Sequence, residues 1–236
     1  MSKVKIYADG AVLSDMQEMY NSGLVQGFTT NPSLMKKAGI KNYQAFAKEV
    51  LTAITDLPIS FEVFADTLAE MEQEAREIAS WGKNVYVKIP IMTTKQISTI
   101  PLIKELSNAN VSLNVTAIFT EQQVKDVVDA FALDTNNIVS VFAGRIADTG
   151  VDPLDIMKTA VKLCRAKSGT ELLWASPREV LNIVQAEEIG CDIITCTPDI
   201  IKKYHDNLGK DLVQFSLETV QMFYNDSQSL GYKIIE

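Results

Sequence analysis

The sequence has one histidine, His205, and three cysteines, Cys164, Cys191 and Cys196, in 236 residues. The cysteines are odd in number and lack the paired spacing of a zinc site, so neither a metal finger nor a disulfide framework fits. They suit reduced thiols in a cytoplasmic protein. No stretch approaches the roughly 20 apolar residues of a membrane span. Met1-Ser2-Lys3 leads straight into a strand-like run with no apolar signal segment, so a cytoplasmic location with no membrane partner is expected. Basic residues are outnumbered 22 to 30 by acidic ones, for a net charge of −8, which argues against a nucleic-acid partner. Also missing are a G-x-G-x-x-G turn, a P-loop and a G-x-S-x-G elbow, which removes the usual signals for dinucleotides, nucleoside triphosphates and acyl transfer. No carboxylate or histidine cluster has metal-ligand spacing, so neither metal nor cofactor is expected.

Regular alternation is present instead. Short β-rich runs at 5–9, 27–31, 59–64, 85–90, 111–117, 138–144, 171–176 and 192–197 are separated by helical patterns. Among the latter are 67–82, 94–108, 120–132, 153–166 and 178–189. In 67–82, Leu68, Met71, Ala75 and Ile78 recur at helical spacing. Helix starts are marked by the capping-box sequence Thr120-Glu121-Gln122-Gln123 and by Asp152-Pro153, Ser176-Pro177 and Thr197-Pro198. Eight evenly spaced strand–helix units without a linker predict an α/β fold, a single closed (β/α)8 TIM barrel over 1–236. An open doubly wound sheet is the alternative. A helical extension over about 207–236, with a helix near 210–224, falls outside the eight units and could either cap the barrel or reach a neighbouring subunit.

Lys88 stands out because it interrupts the apolar run Val85-Tyr86-Val87-Lys88-Ile89-Pro90. Side chains alternate along a strand, so Tyr86 and Lys88 share one face and Val85, Val87 and Ile89 the other. On a surface edge such a lysine would only discourage aggregation. In a closed barrel the same count turns Asp9, Asn31, Glu62, Lys88, Asn114, Thr116 and Ser140 inward, most of them near strand C-termini. That is the end where barrel active sites form. Two buried carboxylates and an ammonium cost several kcal/mol per ion before pairing is counted. A structural ion network is one explanation; catalysis is the better one. With His205 outside this set and no Cys/His pair, the nucleophile left is a buried lysine. Lysine attacks a carbonyl only as the free amine, a form that removal from water favours. The resulting Schiff base withdraws electrons and allows a neighbouring C–C bond to break.

A second cluster, Arg145 after strand six and Ser176 and Arg178 after strand seven, offers two guanidiniums and a hydroxyl, a phosphate site in an acidic chain.

These pieces resemble a known family. Tyr7-Ala8-Asp9, Thr29-Thr30-Asn31-Pro32-Ser33-Leu34, Phe61-Glu62-Val63, Val87-Lys88-Ile89-Pro90, Asn114-Val115-Thr116, Ser140-Val141-Phe142-Ala143-Gly144-Arg145 and Ala175-Ser176-Pro177-Arg178 occur in the order seen in small transaldolases and fructose-6-phosphate aldolases. The resemblance implies a class I aldolase-like barrel with Lys88 as the Schiff-base lysine and Asp9 as the group that takes the C4 hydroxyl proton. Glu62 and Thr116 would hold a proton-moving water. Asn31, Asn114 and Ser140 would bind the dihydroxyacetone portion, and Arg145, Ser176 and Arg178 the phosphate. It further implies sugar-phosphate substrates, the pentose phosphate pathway and a ring-like homo-oligomer. Aldolase members resemble a pattern with Gln in place of Glu62 and Tyr in place of Phe142, so both residues here are of the transaldolase type. The rivals are a fructose-6-phosphate aldolase and a non-catalytic phosphosugar-binding barrel.

Overall fold

A computed structural model describes residues 4–232, 234 and 235. Its eight strands are β1 (Lys5–Asp9), β2 (Gly27–Thr29), β3 (Ile59–Glu62), β4 (Val85–Pro90), β5 (Leu113–Ile118), β6 (Asn137–Val141), β7 (Thr170–Trp174) and β8 (Ile193–Cys196). All pairings are parallel, and β8 returns to β1 to close the barrel. Helix α1 (Leu13–Ser22) precedes β2, while α2 (Pro32–Lys37) and α3 (Tyr43–Ala53) follow it. Then come α4 (Leu68–Ser80), α5 (Ile100–Asn108), α6 (Glu121–Ala130), the short α7 (Ala143–Ala147), α8 (Leu154–Arg165) and α9 (Leu181–Ile189). The chain finishes with α10 (Pro198–Asn207) and α11 (Leu212–Ser229). The predicted TIM barrel is therefore the observed fold.

Several helices start where a side chain satisfies one of their first N–H groups. Thr120 and Gln123 complete the expected capping box at α6, and Asn31, Asn42 and Thr67 cap α2, α3 and α4. The strands carry β-branched and aromatic residues, and the side chains turned towards the helices are apolar. Phe28, Ile59, Phe61, Val87, Ile89, Leu113, Val115, Val139 and Val141 are fully buried. On the opposite parity, Tyr7, Ile138, Leu173, Ala175 and Ile193 pack into one cluster with Tyr86 and Phe142. Gly27 makes room for it, since a Cβ there would stand 2.5 Å from the Tyr7 ring. This apolar plug fills part of the interior and leaves the polar residues at its C-terminal end.

Several elements differ from expectation, chiefly at that end. Strands expected to run to 31, 64, 144 and 176 stop at Thr29, Glu62, Val141 and Trp174. The chain leaves the sheet there, and Ala143–Ala147 coils into a helix that periodicity over five residues cannot announce. The helix expected from 94 begins at Ile100, because Met92 and Ser98 first close a small antiparallel bridge with Gln96 at φ 61°. In β5 the pairing skips a residue: Val115 faces Val139 but Ile118 faces Val141. The extra residue is Ala117, at φ 59°, a bulge that returns Ile118 to the helix-facing side and leaves Thr116 as the last inward residue.

Two compact units are distinguished, one reaching Ile201 and the other starting at Lys202. The second is mostly α11, an 18-residue helix with Asp211 as its N-cap and no buried residue. It exposes Leu212, Val213, Phe215, Leu217, Val220, Met222, Phe223 and Tyr224. Among the described residues, no helix is long and apolar enough to cross a membrane.

Candidate active site

The register of β3, β4 and β5 sets Lys88 directly between Glu62 and Asn114. Lys88 is only 7% exposed. Its Nζ lies 3.2 Å from Glu62 Oε2 and donates to the Thr30 carbonyl at 3.2 Å. An ammonium has three donor positions, so these two contacts leave one direction unfilled. A cleft of about 460 Å³ opens above it.

Nine of the eleven expected site residues line this cleft: Asp9, Asn31, Glu62, Lys88, Thr116, Ser140, Phe142, Arg145 and Ser176. The other two, Asn114 and Arg178, hold lining residues from behind. Asn114 is fully buried; its Oδ1 accepts from the Ser140 hydroxyl at 2.6 Å, and its Nδ2 donates to Ser60 at 2.9 Å. Arg178 donates from Nη1 to the Ser176 carbonyl and hydroxyl oxygens, each at 2.8 Å, and grips Asp148 through Nε and Nη2. Those guanidinium bonds pull the Asp148 carboxyl below its ordinary range. Because the Ser176 oxygen accepts from Arg178, its own proton stays available to an anion.

The two cationic loops touch through Gly144. A Cβ there would sit 1.6 Å from the Ser176 carbonyl oxygen, so only glycine lets the backbone after β6 lie against the backbone after β7. Ser176 itself has φ 63°. With Ala117, that makes two non-glycine residues in the left-handed region on one cleft wall, conformations that the surrounding packing must enforce. Arg145 sets its guanidinium carbon 5.6 Å from the centre of the Phe142 ring, which packs edge-on against Phe119 at 5.7 Å. Arg145 makes no ion pair among the described residues, unlike Arg178.

Asp9 sits at the end of β1, where Thr29 donates to its Oδ1 at 2.9 Å. Enclosure by the barrel raises the Asp9 carboxyl above its ordinary value. Lys88 and the Thr29 hydrogen bond oppose that rise, and Glu62 adds to it. Thr116 Oγ1 is buried with no hydrogen-bond partner among the described residues, an acceptor and donor facing the cleft. Asn31 uses Oδ1 to cap α2 through Leu34 N at 3.0 Å, which leaves its amide N–H groups for a ligand. Burial pushes the Cys191 and Cys196 thiols up to about 12 and raises Cys164 as well, so none is a thiolate nucleophile near neutral pH. His205 lies on α10 with its ring 5.5 Å from that of Tyr204.

Four participants were not among the expected site residues: Thr29, the Thr30 carbonyl, Ser60 and Thr195. Thr29 and Ser60 share the inward parity of Asn31 and Glu62, so alternation alone points to them. Thr195 could have been found the same way in Ile193-Ile194-Thr195-Cys196. A backbone carbonyl that receives Lys88 has no signature in the sequence.

Comparison with known proteins fits this geometry. A family model described as Transaldolase/Fructose-6-phosphate aldolase matches residues 6–234. A protein of Thermoplasma volcanium named "Probable transaldolase" is 36% identical over 219 residues, covering 90% of this chain and 93% of that one. One of the same name from Methanococcus maripaludis is 35% identical over 201 residues, covering 85% and 89%. Among solved structures, KGPDC from Streptococcus mutans superposes with a TM-score of 0.59 at 11% identity, covering 85% of this chain and 91% of that one, a likeness of fold alone. With the family model spanning nearly the whole chain and relatives above one-third identity, the chain belongs to the transaldolase/fructose-6-phosphate aldolase family.

Proposed function

We propose that the protein is a transaldolase that moves a dihydroxyacetone unit between sugar phosphates through a Schiff base on Lys88. The observation that carries this reading is a nearly buried lysine amine, paired with one carboxylate and sharing a cleft with a second. The Lys88 amine, its proton passed to Glu62 or water, attacks C2 of the ketose phosphate. Glu62 and the unpartnered Thr116 hydroxyl hold the water that shuttles protons while the carbinolamine loses hydroxide as water. The iminium then accepts the electron pair of the C3–C4 bond as Asp9 takes the C4 hydroxyl proton, releasing an aldose phosphate. The three-carbon enamine stays on Lys88 until an acceptor aldehyde arrives; Asp9 returns a proton to the new alkoxide, and water adds to the resulting iminium to release the ketose phosphate and the Lys88 amine.

Substrate positioning follows the same wall. Ser140, steadied by Asn114, and the free amide N–H groups of Asn31 suit the hydroxyls of the dihydroxyacetone portion. Arg145 is the direct phosphate ligand. Arg178 steadies the Ser176 hydroxyl and adds positive charge behind it. The donor–acceptor pair is sedoheptulose 7-phosphate with glyceraldehyde 3-phosphate, giving erythrose 4-phosphate and fructose 6-phosphate in the cytoplasmic pentose phosphate pathway. The exposed apolar face of α11 supports a ring-like homo-oligomer, since a stretch of that size is seldom left in water.

Four outcomes test the reading. Borohydride reduction in the presence of fructose 6-phosphate should leave a covalent adduct on Lys88. Lys88→Met should form none and lose at least about a thousand-fold in transfer rate while melting cooperatively. An unlabelled wild-type lysine would leave the phosphosugar-binding barrel as the better description. Phe142→Tyr should raise the release of free dihydroxyacetone from fructose 6-phosphate severalfold, because the new hydroxyl can order water over the enamine; unchanged release removes Phe142 from partitioning.

Asp9→Asn should cost about a hundred-fold or more in transfer. It should also change stability with a defined sign. A carboxyl raised in the folded state favours folding below the unfolded carboxylate range and loses that contribution as pH rises through the native value. The thermal advantage of Asp9→Asn over wild type should therefore be larger at pH 8 than at pH 4, near the ordinary carboxylate value; a constant difference across that span would contradict the raised Asp9. Deleting residues from 211 onward should reduce the sedimenting mass to that of a smaller assembly. An unchanged assembly would take α11 out of the interface.

A further inference from the structure

Asp9 does not end the hydrogen-bond chain that it shares with Thr29. Thr29 Oγ1 donates to Asp9 Oδ1 at 2.9 Å and lies 2.5 Å from Thr195 Oγ1. The three residues come from adjacent strands: Asp9 pairs with Thr29 across β1–β2, and Thr195 sits opposite Tyr7 across β1–β8. Thr29 is 2% and Thr195 7% exposed, and all three reach the cleft. β-Branched side chains have few χ1 choices, so the oxygens are held in place by the barrel.

Proton counting fixes the directions. An ionised carboxylate only accepts, so Thr29 must give Asp9 its single hydroxyl proton. The short contact between the threonines then needs Thr195 as donor. When Asp9 carries a proton, the order can invert: Asp9 donates to Thr29, Thr29 to Thr195, and the Thr195 hydroxyl turns towards the cleft. No heavy atom moves.

We propose that Thr195 is a positioning residue for Asp9, the terminal hydroxyl of a two-threonine chain whose direction follows the protonation of the carboxyl. This rests on the reading of Asp9 as the group that takes and returns the C4 hydroxyl proton. The chain matters because Asp9 must act as a base in cleavage and as an acid in the transfer half of the same turnover. A fixed donor would favour one form only; a pair of rotating hydroxyls serves both. The other titratable groups facing Asp9 are Lys88 from β4, Glu62 from β3 and Cys196 from β8. Asp15, Lys37 and Asp199 line a second cavity on the other side of Asp9. Of the neighbours, Thr29 alone donates a hydrogen bond to the Asp9 carboxyl among the described residues.

Thr195→Val keeps the shape and removes the hydroxyl; Thr195→Ser keeps the hydroxyl. With Val, Thr29 loses its donor, the carboxylate is less well held, and the acid limb of the kcat profile should move to higher pH. We expect kcat to fall about three- to tenfold with KM unchanged, and Thr195→Ser to restore both kcat and the profile. Trapping of dihydroxyacetone itself on Lys88 by borohydride, which needs no C3–C4 cleavage, should match wild type in both variants. A Thr195→Val enzyme with wild-type kcat and acid limb overturns the inference, as does equal loss in the Val and Ser variants. Asp9→Asn run alongside separates the two levels: if it retains cleavage, the reading of Asp9 fails; if it is inactive while Thr195→Val is normal, only the threonine chain fails.

Discussion

The interior of this barrel pairs Lys88 with Glu62 and brings a second carboxyl, Asp9, into the same cleft, and the rest of the site is arranged around that imbalance. Lys88 with Glu62 alone would be a neutral pair of modest reactivity. Asp9 adds a second negative charge, which enclosure makes hard to sustain and which Lys88 and Thr29 only partly relieve. A carboxyl held in that state suits the proton exchange that the proposed carbon–carbon cleavage and re-formation would demand of it. Replacing the trio with packed apolar residues would give a more comfortable core and no chemistry.

The polar interior is supported in depth. Ser60 and Asn114 lie behind Ser140, which faces the cleft, and Asn114 bonds to both serines across strands three, five and six. Arg178 and Asp148 do the same for Ser176 at the rim. In both places a residue whose chemistry suggests direct contact with a ligand instead fixes another that lines the cleft. Sequence reading treats a buried asparagine and a rim arginine as equivalent candidates because it sees residue types, while reach depends on which hydrogen bonds are already filled.

Much of this was legible beforehand, and for one reason: alternation in a closed parallel sheet sorts residues into helix-facing and inward sets with no further information. That is why Asp9, Glu62, Lys88 and Ser140 could be placed together from sequence. Legibility failed where the backbone leaves the regular period. The Ala117 bulge shifts parity by one, the turn before Ile100 replaces a predicted helical stretch, and α7 is too short to show a period. Alternation turns Thr195 inward, but a lone threonine in an apolar run resembles ordinary strand composition and does not announce a role.

Gly144 has a consequence for how such a protein can diverge. Because its backbone rests on that of Ser176, the segments after β6 and β7 form a single wedge with no room for inserted residues. Change on this arc of the rim is limited to swapping the side chains that project from it, and so to the charge and size of the surface they present. Lengthened segments have to be accommodated elsewhere on the rim, as on the opposite arc after β2 and β3.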